Sequence, residues 1–142
     1  MKFKIKKNIL LEALNSVSKA ISTKNIIPIL SGIKFDLLKD KLVLTASDND
    51  ITIQTVVNKD DNLEIFNTGS IVIKGKYILD IIIKLDSDFI NLEIVDDHKI
   101  LIFSSSSIGK ILNNSPKFLL GIMISTSFVN SFSIFIRFNA SL

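Results

Sequence analysis

The sequence predicts an α+β domain built from one strand–helix–strands unit written twice, with two helices on one face of antiparallel sheets. Three observations predict it. Residues 1–7 alternate lysine with apolar side chains and run straight into a helical pattern; residues 71–85 repeat that order. Each start is followed by alternating, strand-like segments joined by turns rich in Asp, Asn and Lys. The two starts stand about 60–70 residues apart, which reads as an internal duplication. Neither half can easily bury its own apolar sheet face, so the halves are expected to share one core.

In order, residues 1–7 put Met1, Phe3 and Ile5 on one face of a strand and Lys2, Lys4 and Lys6 on the other. Asn8 reads as the N-cap of a helix over 9–21, with Glu12 near its positive end. Leu10, Leu14, Val17 and Ile21 form the apolar stripe of that helix, and Asn8, Glu12, Asn15 and Lys19 fall opposite. Residues 22–25 end it. Pro28 bars further helix and extends Ile27, and Ser31-Gly32 is a break. Residues 33–38 and 42–45 alternate as a hairpin about the turn 39–41. After a polar interruption over 46–50, residues 51–57 read as a third strand with Ile51, Ile53 and Thr55 on one face, and 58–62 as a loop.

The second unit begins with a short strand at 71–73, broken by Gly75. Residues 76–85 suit a helix despite the β-branched Ile78, Ile81, Ile82 and Ile83, which lower its propensity. Its polar strip holds Lys76, Tyr77, Asp80 and Lys84. A turn at 86–88, a strand at 89–95, a tight turn at 96–99 and a returning strand at 100–103 complete the unit.

A chain of 142 residues suffices for one domain with a real core, and its 47% hydrophobic content is ordinary for one. The absence of cysteine removes disulfides, thiolate metal sites and a cysteine nucleophile. The start MKFKIKK has no apolar core of a secretory signal, so a cytoplasmic location is the expectation. All 14 acids lie in residues 1–106 and are matched there by lysines, so the formal charge of +3 belongs to residues 107–142. Net charge alone therefore gives the main body no nucleic-acid footprint.

The residues offer little chemistry. Asp48 and Asp50, two apart on an extended segment, could share a face as a carboxylate pair for metal or acid–base work. With no histidine or glycine-rich loop nearby, turn formation is the expected role of both. His98, the one histidine, cannot anchor an ordinary zinc site without cysteines. The run GSIVIKGK over 69–76 echoes a phosphate loop, but its glycines are one residue too far apart and Tyr77 stands where Ser or Thr must hold magnesium. No Gly-x-Ser-x-Gly occurs. No metal or cofactor is expected. Lys19, Lys24, Lys76 and Lys84 pose a different question: if the two helices lie side by side, these lysines face outward together and could meet phosphates without reading bases, although solvated surface lysines are the expected reading of this pattern by itself.

Two stretches carry a family resemblance. Lys24-Asn25-Ile26-Ile27-Pro28-Ile29-Leu30-Ser31-Gly32-Ile33 resembles the loop and Pro-Ile-Leu-x-Gly/Asn segment of the bacterial DNA polymerase III β subunit, the replicative sliding clamp. Leu44-Thr45-Ala46-Ser47-Asp48-Asn49-Asp50-Ile51 is similar to its Leu-Thr-x-Ser/Thr-Asp-x-acid-Ile segment. Met1-Lys2-Phe3, the helix at 10–18 and the segment 76–85 fall at matching distances. The resemblance covers residues 1–106 and rests on the combination of pieces.

The resemblance implies a DNA-clamp domain of a noncatalytic processivity factor, an accessory subunit grouped with nucleotidyltransferase holoenzymes. It implies a homodimeric ring of three similar domains per chain, with strands outside and helices lining the hole. Double-stranded DNA, held without sequence preference, is the implied partner, together with the DNA polymerase III core and the clamp loader. The DNA-binding residues carried over are Lys24, in the loop before the proline motif, and Lys76, at the start of the second helix. Both stand where the family often has arginine, so a single mobile ammonium replaces a fork. The Asp48–Asp50 turn is structural in this reading.

Two departures stand out. Leu85-Asp86 replaces the usual Leu-Pro. After the strand at 100–103 the chain reads Ser104-Ser105-Ser106-Ser107-Ile108-Gly109-Lys110 and then leaves the family pattern, with no acid and five of the ten phenylalanines. The expected division is therefore residues 1–108 as the N-terminal clamp domain and 109–142 as a tail outside the family, read as translation out of frame after about Lys110. Such a chain is expected to form no stable ring and to have at most feeble DNA affinity. Residues 118–136 carry no charge and are long enough to span a bilayer, which leaves a membrane-anchored interaction module as the alternative. The serines make an exposed, aggregation-prone segment the expected reading. A small enzyme using Asp48 and Asp50 is the remaining rival.

Overall fold

The computed structural model describes residues 1–21, 31–48, 50–96, 99–104, 120–127 and 131–138. The elements are β1 (Lys2–Lys6), α1 (Lys7–Ser18), β2 (Gly32–Leu37), β3 (Lys41–Ser47), β4 (Thr52–Asn58), β5 (Leu63–Asn67), β6 (Gly69–Lys74), α2 (Gly75–Lys84), β7 (Phe89–Asp96), β8 (Lys99–Ser104), β9 (Leu120–Ser127) and β10 (Ser131–Phe138). They form two antiparallel sheets, one ordered β4-β3-β2-β6 and the other β10-β9-β8-β7-β1-β5.

The two units exchange their first strands. β1 pairs with β7 of the second unit, Lys4 opposite Asn91. β6 pairs with β2 of the first, Phe35 opposite Ile71. The helices begin about 68 residues apart, and each starts where an extended lysine, Lys6 or Lys74, ends its strand without a side-chain cap. The duplication read from the sequence is thus an interlock, and Phe3, Leu14, Phe35, Leu44, Ile73, Ile82, Leu92 and Ile102 belong to a single buried cluster. Loss of water contact by this set is the main stabilising term of the fold.

Local patterns explain most elements. Phe3 and Ile5 are fully buried on β1, as the alternation requires. On α1 the buried side is Leu10, Ala13, Leu14 and Val17. Asn8 is not the N-cap: it lies inside the helix, its Oδ1 2.9 Å from the amide nitrogen of Ile9. β1 passes into α1 without a turn, and the amide of Lys7 donates instead to Asp88 O at 2.7 Å. Tertiary structure here does what a cap does elsewhere.

Two further differences concern boundaries. β5 falls between the loop expected at 58–62 and the strand expected at 71–73, in residues given no element above; it is short, and its pairing with β1 selects it. Ile51 is exposed and precedes β4, whose inward residues are Ile53, Thr55 and Val57. Gly69, at φ +155, passes Met1 so closely that an added Cβ would lie 3.0 Å from Met1 Cβ. Only glycine satisfies both conditions. Beyond β8, β9 pairs with β8 and β10 with β9, so the segment considered as a bilayer span contains strands. Among the described residues no helix is long and apolar enough to cross a membrane.

Candidate nucleic-acid interface

α1 and α2 lie side by side and antiparallel. At one end, the Lys7 ammonium donates to Ile83 O at 3.1 Å and to Leu85 O at 2.5 Å, joining the start of α1 to the end of α2. At the other, Gly75 opens α2 against Ile21, three residues beyond the end of α1: an added Cβ would lie 2.5 Å from Ile21 Cδ1 and 3.3 Å from Ile33 Cδ1. Gly75 therefore starts the helix, where a strand break was expected, and its missing side chain admits Ile21.

The outward side of the pair is polar. Asn8, Glu12, Asn15 and Lys19 are exposed on and just after α1, as the helical period dictates. Lys76, Asp80 and Lys84 are exposed on α2, together with Ile83. The antiparallel arrangement puts Lys19 and Lys76 at the same end and Lys84 at the other. Lys24 lies outside the described residues. Three lysines against Glu12 and Asp80 give a modest positive excess, suited to loose contact with a polyanion.

Three lysines elsewhere are paired with acids. Lys2 pairs with Glu93 at 3.1 Å, Lys4 with Glu64 at 2.8 Å and Lys34 with Asp36 at 2.9 Å, all on strands. Among the described residues, no ion pair engages Lys19, Lys76 or Lys84. α2 carries no acid in its first turn, so nothing there offsets the partial positive charge of its N-terminus beside Lys76.

The carboxylate pair is a turn. Asp48 Oδ1 accepts from the amides of Asp50 and Ile51, each at 2.8 Å. These two donors hold its carboxyl below the usual value of 3.8. A carboxylate kept ionised by its own turn is a poor proton donor. Asp60 repeats the device: the side-chain amide and then the backbone amide of Asn62 lower its carboxyl. Among the described residues no group of His, Asp and Glu could hold a metal ion. His98 is outside them. The run GSIVIKGK is strand β6 passing directly into α2, with no loop between to surround a phosphate.

The sequence reading missed Lys7, which it placed in the first strand. The available signal was a cation at the first helical position, where the helix's own dipole disfavours it.

The sequence profile described as DNA polymerase III beta subunit, N-terminal domain, matches residues 1–116. The chain is 37% identical over 111 residues to the beta sliding clamps of Staphylococcus epidermidis RP62A and Staphylococcus aureus Mu50, a match covering 75% of this chain and 29% of each relative. Its fold is similar to the DNA polymerase sliding clamp of Bacillus subtilis, with a TM-score of 0.71 at 34% identity, over 74% of this chain and 29% of that one. It is also similar to the DNA polymerase III beta chain of Streptococcus pneumoniae, with a TM-score of 0.75 at 25% identity, over 99% of this chain and 34% of that one.

Proposed function

The chain belongs to the family of the DNA polymerase III β subunit N-terminal domain, and from that premise we propose that it is a domain of a replication processivity factor. It spans 29% of the length of the curated relatives it matches, so the activity of a whole clamp is carried over here as a proposal. The domain acts without catalysis, as an accessory module in the cytoplasm whose helix pair faces double-stranded DNA. Lys24 and Lys76 touch phosphates without reading bases. The DNA polymerase III core and clamp loader are the partners of the assembled clamp.

One observation carries the reading: the paired helices gather Lys19, Lys76 and Lys84 exposed on one outward, polar side, and no ion pair engages any of the three among the described residues. Flexible ammoniums over an asparagine-bearing surface suit water-rich contact that slides. The apparent carboxylate pair is occupied in a turn, which favours a noncatalytic role.

We propose further that residues 109–142 form a segment outside the family's own pattern; its lack of acids and its five phenylalanines support this. A polypeptide of these 142 residues alone is expected to close no ring, and gel filtration should show no ring-sized dimer. Sequencing the gene through codons 105–115 tests the boundary; clamp sequence continuing in another frame is the expected result.

The functional test is a chimera in which residues 1–104 replace the matching segment of the Staphylococcus aureus clamp. Loaded on primed DNA, it should support processive synthesis, and Lys76→Ala should shorten the products. A chimera that forms rings but supports only distributive synthesis overturns the proposal.

A further inference from the structure

Lys7 occupies an unusual place. It is the first residue of α1, where a cation opposes the helix's own dipole. Its side chain leaves that helix and caps the other. The ammonium donates to Ile83 O and Leu85 O, while its backbone amide donates to Asp88 O at 2.7 Å. One residue thus grips the last turn of α2 at Ile83 and the connection to β7 at Leu85 and Asp88. α2 needs such help, because it runs into extended chain at Leu85 with no glycine to turn its last carbonyls inward. At the corresponding first position of α2 stands Gly75, which makes the opposite kind of contact, a close apolar approach to Ile21. The two ends of the helix pair are therefore fixed by equivalent positions of the duplicated unit, one by a charge and one by a missing side chain.

We propose that Lys7 is a positioning residue for the phosphate-facing helix pair: its ammonium fixes the end of α2 against α1, and it does not itself contact phosphate. This rests on the DNA-binding reading given above. A phosphate ligand has its ammonium in solvent, as Lys76 does. That of Lys7 is already spent on two carbonyls across the helix pair, one of the bonds partly buried. What Lys7 controls is the angle and register at which α2 presents Lys76 and Lys84.

The test uses the full 142-residue chain, a 20-base-pair duplex, and the variants Lys7→Met, Lys7→Arg and Lys76→Ala. Lys7→Met keeps most of the aliphatic stem and loses the donor. Amide exchange in residues 82–85 should quicken about tenfold in Lys7→Met, with exchange in β2 and β3 unchanged as the control for folding. Duplex affinity should fall about three- to tenfold, with the slope of log affinity against log salt unchanged. Lys7→Arg should restore exchange and affinity. Lys76→Ala should leave exchange alone and reduce the slope by about one.

A reduced slope in Lys7→Met would make Lys7 a phosphate ligand and overturn the proposal. So would wild-type exchange and affinity in that variant. Because the affinity of this chain alone is expected to be feeble, binding is followed at low salt and high protein concentration; no salt-dependent binding under those conditions removes the DNA-binding reading. Unchanged exchange in Lys7→Met sinks the latch even where DNA binds.

Discussion

The ammonium of Lys7 lies 2.5 Å from the carbonyl oxygen of Leu85, so the first residue of α1 caps the far end of α2. A charge-assisted bond to an otherwise open carbonyl is among the stronger single polar contacts of a small domain. Removing it by Lys7→Met should lower the unfolding free energy by about 1–2 kcal/mol. Lys19→Met, at an exposed position with no ion pair among the described residues, should change it by no more than about 0.5 kcal/mol. Urea titration of both variants checks the pair; equal effects would remove the capping role.

The exchanged strands predict cooperativity. Because β1 completes the sheet of β7 and β8 while β6 completes that of β2 and β3, neither unit has a sheet of its own. Circular dichroism and intrinsic fluorescence should report one coincident urea transition, and residues 1–67 alone should give the spectrum of an unfolded chain. A folded half-chain would show that the interlock is dispensable.

Core and surface of α1 should separate cleanly. Leu14 is fully buried, and Leu14→Ala should cost about 2–5 kcal/mol through lost transfer energy and a residual cavity. Asn15→Ala, one residue away on the exposed side, should stay within about 0.5 kcal/mol. Thermal melts of the two variants decide whether the helix faces are assigned correctly.

Acid should weaken the fold in a defined direction. Asp48 and Asp60 are held below the usual 3.8 by donated amides. Burial pushes Asp36 upward, but the Ser70 hydroxyl and the Lys34 ammonium outweigh it and leave its carboxyl low as well. Groups lowered on folding stabilise the native state above their unfolded pKa, and that contribution disappears as pH falls through the folded values. Stability should therefore be level between pH 7 and 5 and decline below about pH 4. Carbon-13 titration of the carboxyls, with urea unfolding across the same range, checks both halves of the statement. Asp48→Asn keeps an acceptor oxygen and should be milder than Asp48→Ala.

The features that were legible in the sequence were those set by local period. Leu10, Leu14 and Val17 announced the buried side of α1, and Phe3 and Ile5 that of β1, because burial there follows 3.6- and 2-residue repeats. Lys76 could be placed at the head of a helix for the same reason. The duplication was legible too, since it is a repeat of order. The exchange of β1 and β6 was not, because pairing between distant strands leaves no mark on either strand's own pattern. Lys7 was missed on similar grounds: its partners, Ile83 and Leu85, lie more than 70 residues away. Asn8 misled because an Asn at a strand–helix junction fits an N-cap, whereas the capping donor demand was met from Asp88.

In the function proposed above, the helix pair, and not the sheets, meets DNA through phosphates alone. Amide and lysine-side-chain NMR shifts of the full chain, followed during titration with duplexes of two unrelated sequences at low salt, test it most directly. The prediction is the same shift pattern for both duplexes, centred on the outward positions Asn15, Lys19, Lys76 and Lys84 and vanishing as salt is raised. Shifts centred on Lys2, Lys4 and Lys34, a pattern that depends on sequence, or no shift at low salt would contradict it.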